Sequence, residues 1–168
     1  MQLRVHLIVA AFTVLLASSV WAKGVTVKIV VSGDYLTEPV VITDEEIVRQ
    51  FSIWSGPNSI FRVRGGEWRT DYSGTFINFP AGKAAIRPTG MIEFDVEFHL
   101  ADSREGGYWE DSYRVRYAIN PAESGGFFYL PTGNPFIYHG VEGNWLHSTQ
   151  AWEELVRPTV ESSVNLEN

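Results

Sequence analysis

The stretch Ile92-Glu93-Phe94-Asp95-Val96-Glu97-Phe98-His99-Leu100 decides the fold class. Its apolar residues recur at every second position, with charged or polar residues between them. That period belongs to a β-strand with one face buried and the other in water. A second run, Tyr113, Val115, Tyr117 and Ile119, alternates with Arg114, Arg116 and Ala118. The two runs are expected to pair antiparallel, setting Glu93, Asp95 and Glu97 against Arg114 and Arg116 on the wet face. Opposite charges across strands stabilise by about 0.2–1 kcal/mol per pair. The connection holds Gly106-Gly107 and is longer than a tight hairpin turn.

Upstream, Val25 to Val31 is rich in β-branched residues, and strict alternation places Val25, Val27, Ile29 and Val31 on one face. Ser32-Gly33-Asp34 reads as a turn and Pro39 to Ile42 as a short second strand, with Pro39 at its start. Thr43-Asp44-Glu45-Glu46 matches a capping box, with Thr43 as N-cap of a helix over Asp44 to Phe51. Phe61, Val63, Trp68 and the run Thr75 to Phe79 are further strand candidates in a region punctuated by Gly and Pro. Downstream, Phe127 to Leu130 forms a third strand after Gly125-Gly126. Ser148 or Thr149 caps a last helix with Ala151, Trp152, Leu155 and Val156 on one face. Arg157 ends it, because a residue before proline disfavours the helical conformation. The expectation is an α+β fold, mainly an antiparallel β-sheet or small sandwich with two short helices.

The beginning of the chain carries a different signal. Arg4 supplies a positive n-region, Val5 to Leu16 an apolar h-region, and Val20-Trp21-Ala22 a cleavage site. This is the pattern of a secretory signal peptide over 1–22, with the mature chain starting at Lys23. The division expected is a signal peptide (1–22), one globular domain (23–158) and a polar, frayed tail (159–168). A membrane span needs roughly 20 apolar residues, and no stretch supplies them, so no stable span is expected after cleavage. The protein is expected to be exported, either periplasmic or secreted. It contains no cysteine, so no disulfide staples the domain and packing must hold it. Aromatic residues at 14% of the chain offer large areas for that packing.

The chain has 13 Lys and Arg against 20 Asp and Glu, a formal charge of −7. Cleavage removes Arg4 and leaves it one charge more acidic. An acidic chain without a basic run argues against nucleic acid as a partner.

Near the end stand Gly140-Val141-Glu142-Gly143-Asn144-Trp145, then Trp152-Glu153-Glu154 and Arg157-Pro158. This block resembles a signature of a family of small exported bacterial proteins of unknown function. Other pieces follow in the same order: Ser32-Gly33, Leu36, Pro39, Ile42-Thr43-Asp44, then Phe76-Ile77-Asn78-Phe79, Tyr117, Pro121 and Phe127-Phe128-Tyr129-Leu130-Pro131. The family's middle segment reads Phe-Ile-Asp-Trp, where this chain has Asn78 and Phe79. The resemblance implies a shared single-domain fold and export, and carries over no catalytic or binding residue.

Motifs for nucleophilic catalysis, phosphate cradling and dinucleotide binding are missing from the sequence, and no cofactor is implied. Three residues, His139, Glu142 and His147, are of the type that ligates zinc, although their spacing is not that of a helical pair. Asp44-Glu45-Glu46 has the chemistry for a hard cation, but capping already explains it. Glu93, Glu97, Glu110, Asp111 and Glu142 are available for a paired-carboxylate hydrolase. Trp145 and Trp152 read as core residues beside the last helix. Trp54, Trp68 and Tyr108-Trp109 stand in polar or Gly-rich surroundings, and Trp68, Tyr108 and Trp109 are the ligand-binding candidates. The leading expectation is a non-enzymatic exported domain binding a glycan, a cell-wall fragment or an envelope protein. A small metal-dependent or carboxylate-based hydrolase is the alternative. A structural or inhibitory envelope protein presenting a sheet edge is a third reading.

Overall fold

In the computed structural model the two alternating runs pair as their charges require. The structure describes residues 24–165 apart from 58–59, 63–65, 71, 85–87, 102–110 and 134–139. Strand β5 (Ile92–Ala101) lies antiparallel to β6 (Asp111–Ile119), with Asp95 opposite Arg116 and Glu97 opposite Arg114. Ile92, Phe94, Val96, Phe98 and Leu100 face the core with Tyr113, Val115, Tyr117 and Ile119. On the other face Arg114 reaches Glu97 at 3.2 Å, while Arg116 stands 3.9 Å from Glu93 and 4.0 Å from Asp95.

β1 (Val25–Ser32) and β2 (Val40–Ile42) extend the sheet beyond β5, and β7 (Gly126–Tyr129) and β8 (Trp145–His147) extend it beyond β6. The order is β2-β1-β5-β6-β7-β8, antiparallel throughout. This is one six-stranded sheet with helices on one face. A short hairpin, β3 (Ile60–Arg62) and β4 (Trp68–Thr70), forms a separate two-stranded sheet.

Strict alternation in β1 fails at its start. Thr26 pairs with Leu100 and Lys28 with His99, so Val27 is an extra residue in a bulge. The bulge reverses the parity. Ile29 and Val31 are buried as expected, but Thr26 turns inward while Val25 and Val27 are exposed. The Thr26 hydroxyl donates to the Phe51 carbonyl at 2.5 Å, which satisfies both buried groups.

The first helix, α1 (Glu45–Val48), is a single turn, shorter than the sequence pattern. Its N-cap is Asp44, not Thr43: the carboxylate accepts from Glu46 N at 2.8 Å and Ile47 N at 3.4 Å. A carboxylate at this position also suits the positive end of the helix. The run Thr75 to Phe79 contributes one β-bridge, Ile77 to Ser148, and then a 3-10 turn over Phe79–Ala81. Its value is at the edge of the sheet. Asn78 N donates to His147 O and Ala84 N to Trp145 O, both at 2.8 Å, so this segment closes off β8.

The C-terminal helix is two helices, α2 (Gln150–Leu155) and α3 (Arg157–Glu161). Thr149 caps α2 through Trp152 N. Pro158 lies in the first turn of α3, where its missing N–H costs nothing, so it opens a second helix at the point where the sequence pattern predicts an end. Residues 159–165 are consequently not a frayed tail. Val160 is fully buried, Val164 bridges to Leu36, and Asn165 N donates to Tyr35 O at 2.8 Å. Among the described residues no helix is long and apolar enough to cross a membrane.

Trp152 is the hub of the core. Its ring meets Phe128 at 4.9 Å, Phe51 at 5.1 Å and Tyr117 at 5.6 Å, all edge-to-face, with Phe76 and Phe98 about 6 Å away.

Candidate functional site

Covering one face of a sheet leaves the other to be explained. Successive side chains alternate faces, so the register fixes which residues share the open side. One cross-strand row runs Ser32, Asp95, Arg116, Tyr129, Trp145, through five strands. The next runs Glu93, Ala118, Phe127, His147. The face therefore changes character along a row, from charged over β5 and β6 to aromatic over β7 and β8.

A groove of about 790 Å³ lies where the two halves meet, lined by Asp95, Arg114, Arg116, Tyr129, Pro131 and Trp145 among others. This falls within the roughly 300–1,000 Å³ of small-ligand sites. Tyr129 and Trp145 form one wall, their rings 5.4 Å apart and tilted by 47°. Arg116 and Asp95 form the other, with 57% and 59% of their side-chain surfaces exposed.

The turn before β8 holds Trp145 in place. Gly140 and Gly143 adopt φ of +87° and +73°, a region that favours glycine. Glu142 accepts the Gly140 N–H at 2.7 Å, and the Asn144 amide donates to the Val141 and Glu142 carbonyls at 3.1 and 2.8 Å. Gly143 N then donates to Leu130 O at 2.8 Å, joining the turn to the end of β7. The Gly-x-Glu-Gly-Asn-Trp block is thus a turn that presents an aromatic ring.

The Trp-Glu-Glu…Arg-Pro block is structural. Glu153 accepts from the Tyr117 hydroxyl at 2.8 Å, from the Ser148 hydroxyl, and from Arg157 at 2.8 Å. Arg157 also reaches Glu161 at 2.7 Å and the Asn120 and Glu123 carbonyls at 3.0 and 2.6 Å. Burial, then the adjacent Glu153 carboxylate, pushes the Tyr117 phenol far above its usual range. Burial, with Glu142 nearby, also pushes Tyr113 up. Neither phenol is placed to act as a base near neutral pH.

The residues singled out in the sequence fare differently. Tyr108, Trp109, Glu110 and His139 lie outside the described residues, as does the side chain of Trp68, whose backbone belongs to β4. Glu142 is engaged in its own turn, and His147 packs its ring against Phe127 at 4.9 Å. Among the described residues no three His, Asp or Glu side chains gather to hold a metal. Trp54 is half-buried, donating to Gly24 O at 2.8 Å, and packs against the core. Trp145 reverses its sequence reading, because its ring belongs to the groove. Of the carboxylates considered for hydrolysis, Glu97 is held below the usual glutamate range, first by a hydrogen bond from Ser112 and, against some burial, by Arg114. That direction is opposite to what a general acid needs.

No protein-family model, no curated protein and no solved structure matches this chain.

Proposed function

We propose that this protein is an exported binding domain that takes its ligand in the groove on the open sheet face. One observation carries the reading: an aromatic pair and an exposed, loosely held ion pair share one cross-strand row and line one groove. Core packing does not require Tyr129 and Trp145 to stand on that side, since Phe128 and Leu146 already fill the inner face of their strands.

The alternative of a partner joining a sheet edge has less to work with. Residues 77–84 close the β8 edge, and β2 offers only three residues at the other. Export rests on the pattern of residues 1–22 and on the resemblance of the C-terminal block.

Two measurements test the proposal. Mass analysis of the protein recovered after expression with its leader should find Lys23 as the first residue; an intact leader would remove export. Ligand-dependent melting of the mature chain should be lost in Trp145→Ala while the unliganded melting temperature hardly changes. A stabilising ligand at 100 times its Kd adds about 2.7 kcal/mol. Retention of the full shift in Trp145→Ala would place binding elsewhere.

A further inference from the structure

Resting on the groove just proposed as the binding site, we infer that its ligand is a neutral saccharide. The argument begins with charge. Arg114 and Arg116 stand among Glu93, Asp95 and Glu97, each within 4.0 Å of a carboxylate. An anionic ligand meeting the guanidiniums must also approach three carboxylates, and a cationic one must approach two guanidiniums. A ligand without net charge avoids both penalties.

Such a ligand must still satisfy charged groups that it partly desolvates, or the unpaired groups would oppose binding. Hydroxyls do this from both sides, because each donates one hydrogen bond and accepts others. Neighbouring hydroxyls on a sugar ring can donate to Asp95 and accept from Arg116 at once. These two side chains are available for it. At 4.0 Å and more than half exposed, their own pairing is weak and is readily exchanged for ligand contacts.

Tyr129 and Trp145 complete the match. A pyranose has flat patches of C–H groups carrying partial positive charge, and these are drawn to the negative face of an aromatic ring. The two rings are tilted by 47°, so together they form an angled wall that follows a ring with substituents. A peptide offers no such density of hydroxyls to the Asp95–Arg116 side, and a purely apolar ligand would leave both charges unsatisfied.

The test uses the mature chain and four probes in calorimetric titration. They are neutral gluco-oligosaccharides, neutral N-acetylglucosamine oligosaccharides, oligogalacturonate as an anionic sugar, and a proline-rich peptide. The expected result is saturable binding of a neutral oligosaccharide that changes little with salt. Trp145→Ala and Asp95→Asn should each weaken it at least about tenfold, equivalent to about 1.4 kcal/mol. Their unliganded melts should stay close to the parent's, showing that the losses do not arise from unfolding. Binding of only the oligogalacturonate or the peptide, lost in Trp145→Ala, would overturn the assignment of a neutral saccharide and leave the groove reading standing. Neutral-sugar binding unaffected by both substitutions would overturn the groove itself. No binding of any probe would overturn the saccharide inference.

Discussion

Arg157 and Glu153 form an ion pair inside the fold, 2.8 Å apart and one helical turn from each other, with only 8% and 15% of their side chains exposed. The pair spans the break between α2 and α3. Through the Asn120 and Glu123 carbonyls Arg157 also fastens the β6–β7 turn to the helices.

Removing one member strands the other. Arg157→Met should destabilise the domain by about 3–5 kcal/mol, because the Glu153 carboxylate is left buried without its cation. The double variant Arg157→Met/Glu153→Leu should be clearly less damaging than the sum of the two single changes. Urea unfolding of the three variants measures this. Strict additivity would mean that the two side chains are not coupled.

Trp152 should show a graded response. Trp152→Ala removes the ring on which Phe51, Tyr117 and Phe128 pack, at a cost of about 3–5 kcal/mol. Trp152→Phe should cost less, since the buried indole N–H has no aligned hydrogen-bond acceptor among the described residues. Thermal unfolding of both variants decides it. A Phe variant as unstable as the Ala variant would show that the indole's second ring carries the packing.

Gly126 lies against the Tyr117 ring. A Cβ there would come within 2.6 Å of that ring and 3.0 Å of the Ala118 carbonyl. Gly126→Ala should therefore destabilise by about 1–3 kcal/mol through overpacking. Gly82→Ala is the comparison, because its φ is +77° but nothing lies within 4 Å of the added carbon. The two melts separate crowding from backbone strain, because Gly126 has no left-handed φ; a Gly126→Ala melt unchanged from the parent's would exclude crowding.

Acid should weaken the sheet at Glu97. Its carboxyl is held below the ordinary value of about 4.5, chiefly by a hydrogen bond from Ser112, with Arg114 adding to it. A lowered folded pKa contributes stability that is present above 4.5 and lost as pH falls through the folded value. Glu97→Gln should therefore flatten the acid side of the stability–pH curve and leave the slope near neutral pH unchanged. An acid limb identical to the parent's would exclude Glu97 as a source of that dependence.

The centre of the sheet was legible because β5 and β6 are long and keep one period. Their alternation fixes the buried and open faces and sets the carboxylates against the arginines; the register itself, nine consecutive pairings, is seen only in the structure. The bulge at Val27 was not, since one inserted residue leaves composition unchanged. What fixes it is the distant Thr26–Phe51 hydrogen bond. β8 has three residues, too few to display a period, so nothing in the sequence separates Trp145 from the helix beside it. A usable signal lay in β7. Phe127, Phe128 and Tyr129 are aromatic at consecutive positions, so at least one ring must leave the core face. Following that parity across to β8 would have exposed the Tyr129–Trp145 pair. Pro158 is ambiguous because the same residue ends one helix pattern and opens another; the burial of Val160 within α3 and the packing of Val164 beyond it show that it opens one.

The strand order also sets a timetable. β5 to β8 are joined in sequence, each pairing with the strand before it, so that half can close through local contacts. β1 pairs locally with β2, but this ribbon reaches β5 only across the excursion 43–91, and β2 has no other strand to join. Contacts of long sequence separation carry a closure entropy that slows their formation. The sheet is thus expected to grow from its C-terminal half, with the β1–β2 ribbon docking last. During synthesis the strand made first is the one that must wait.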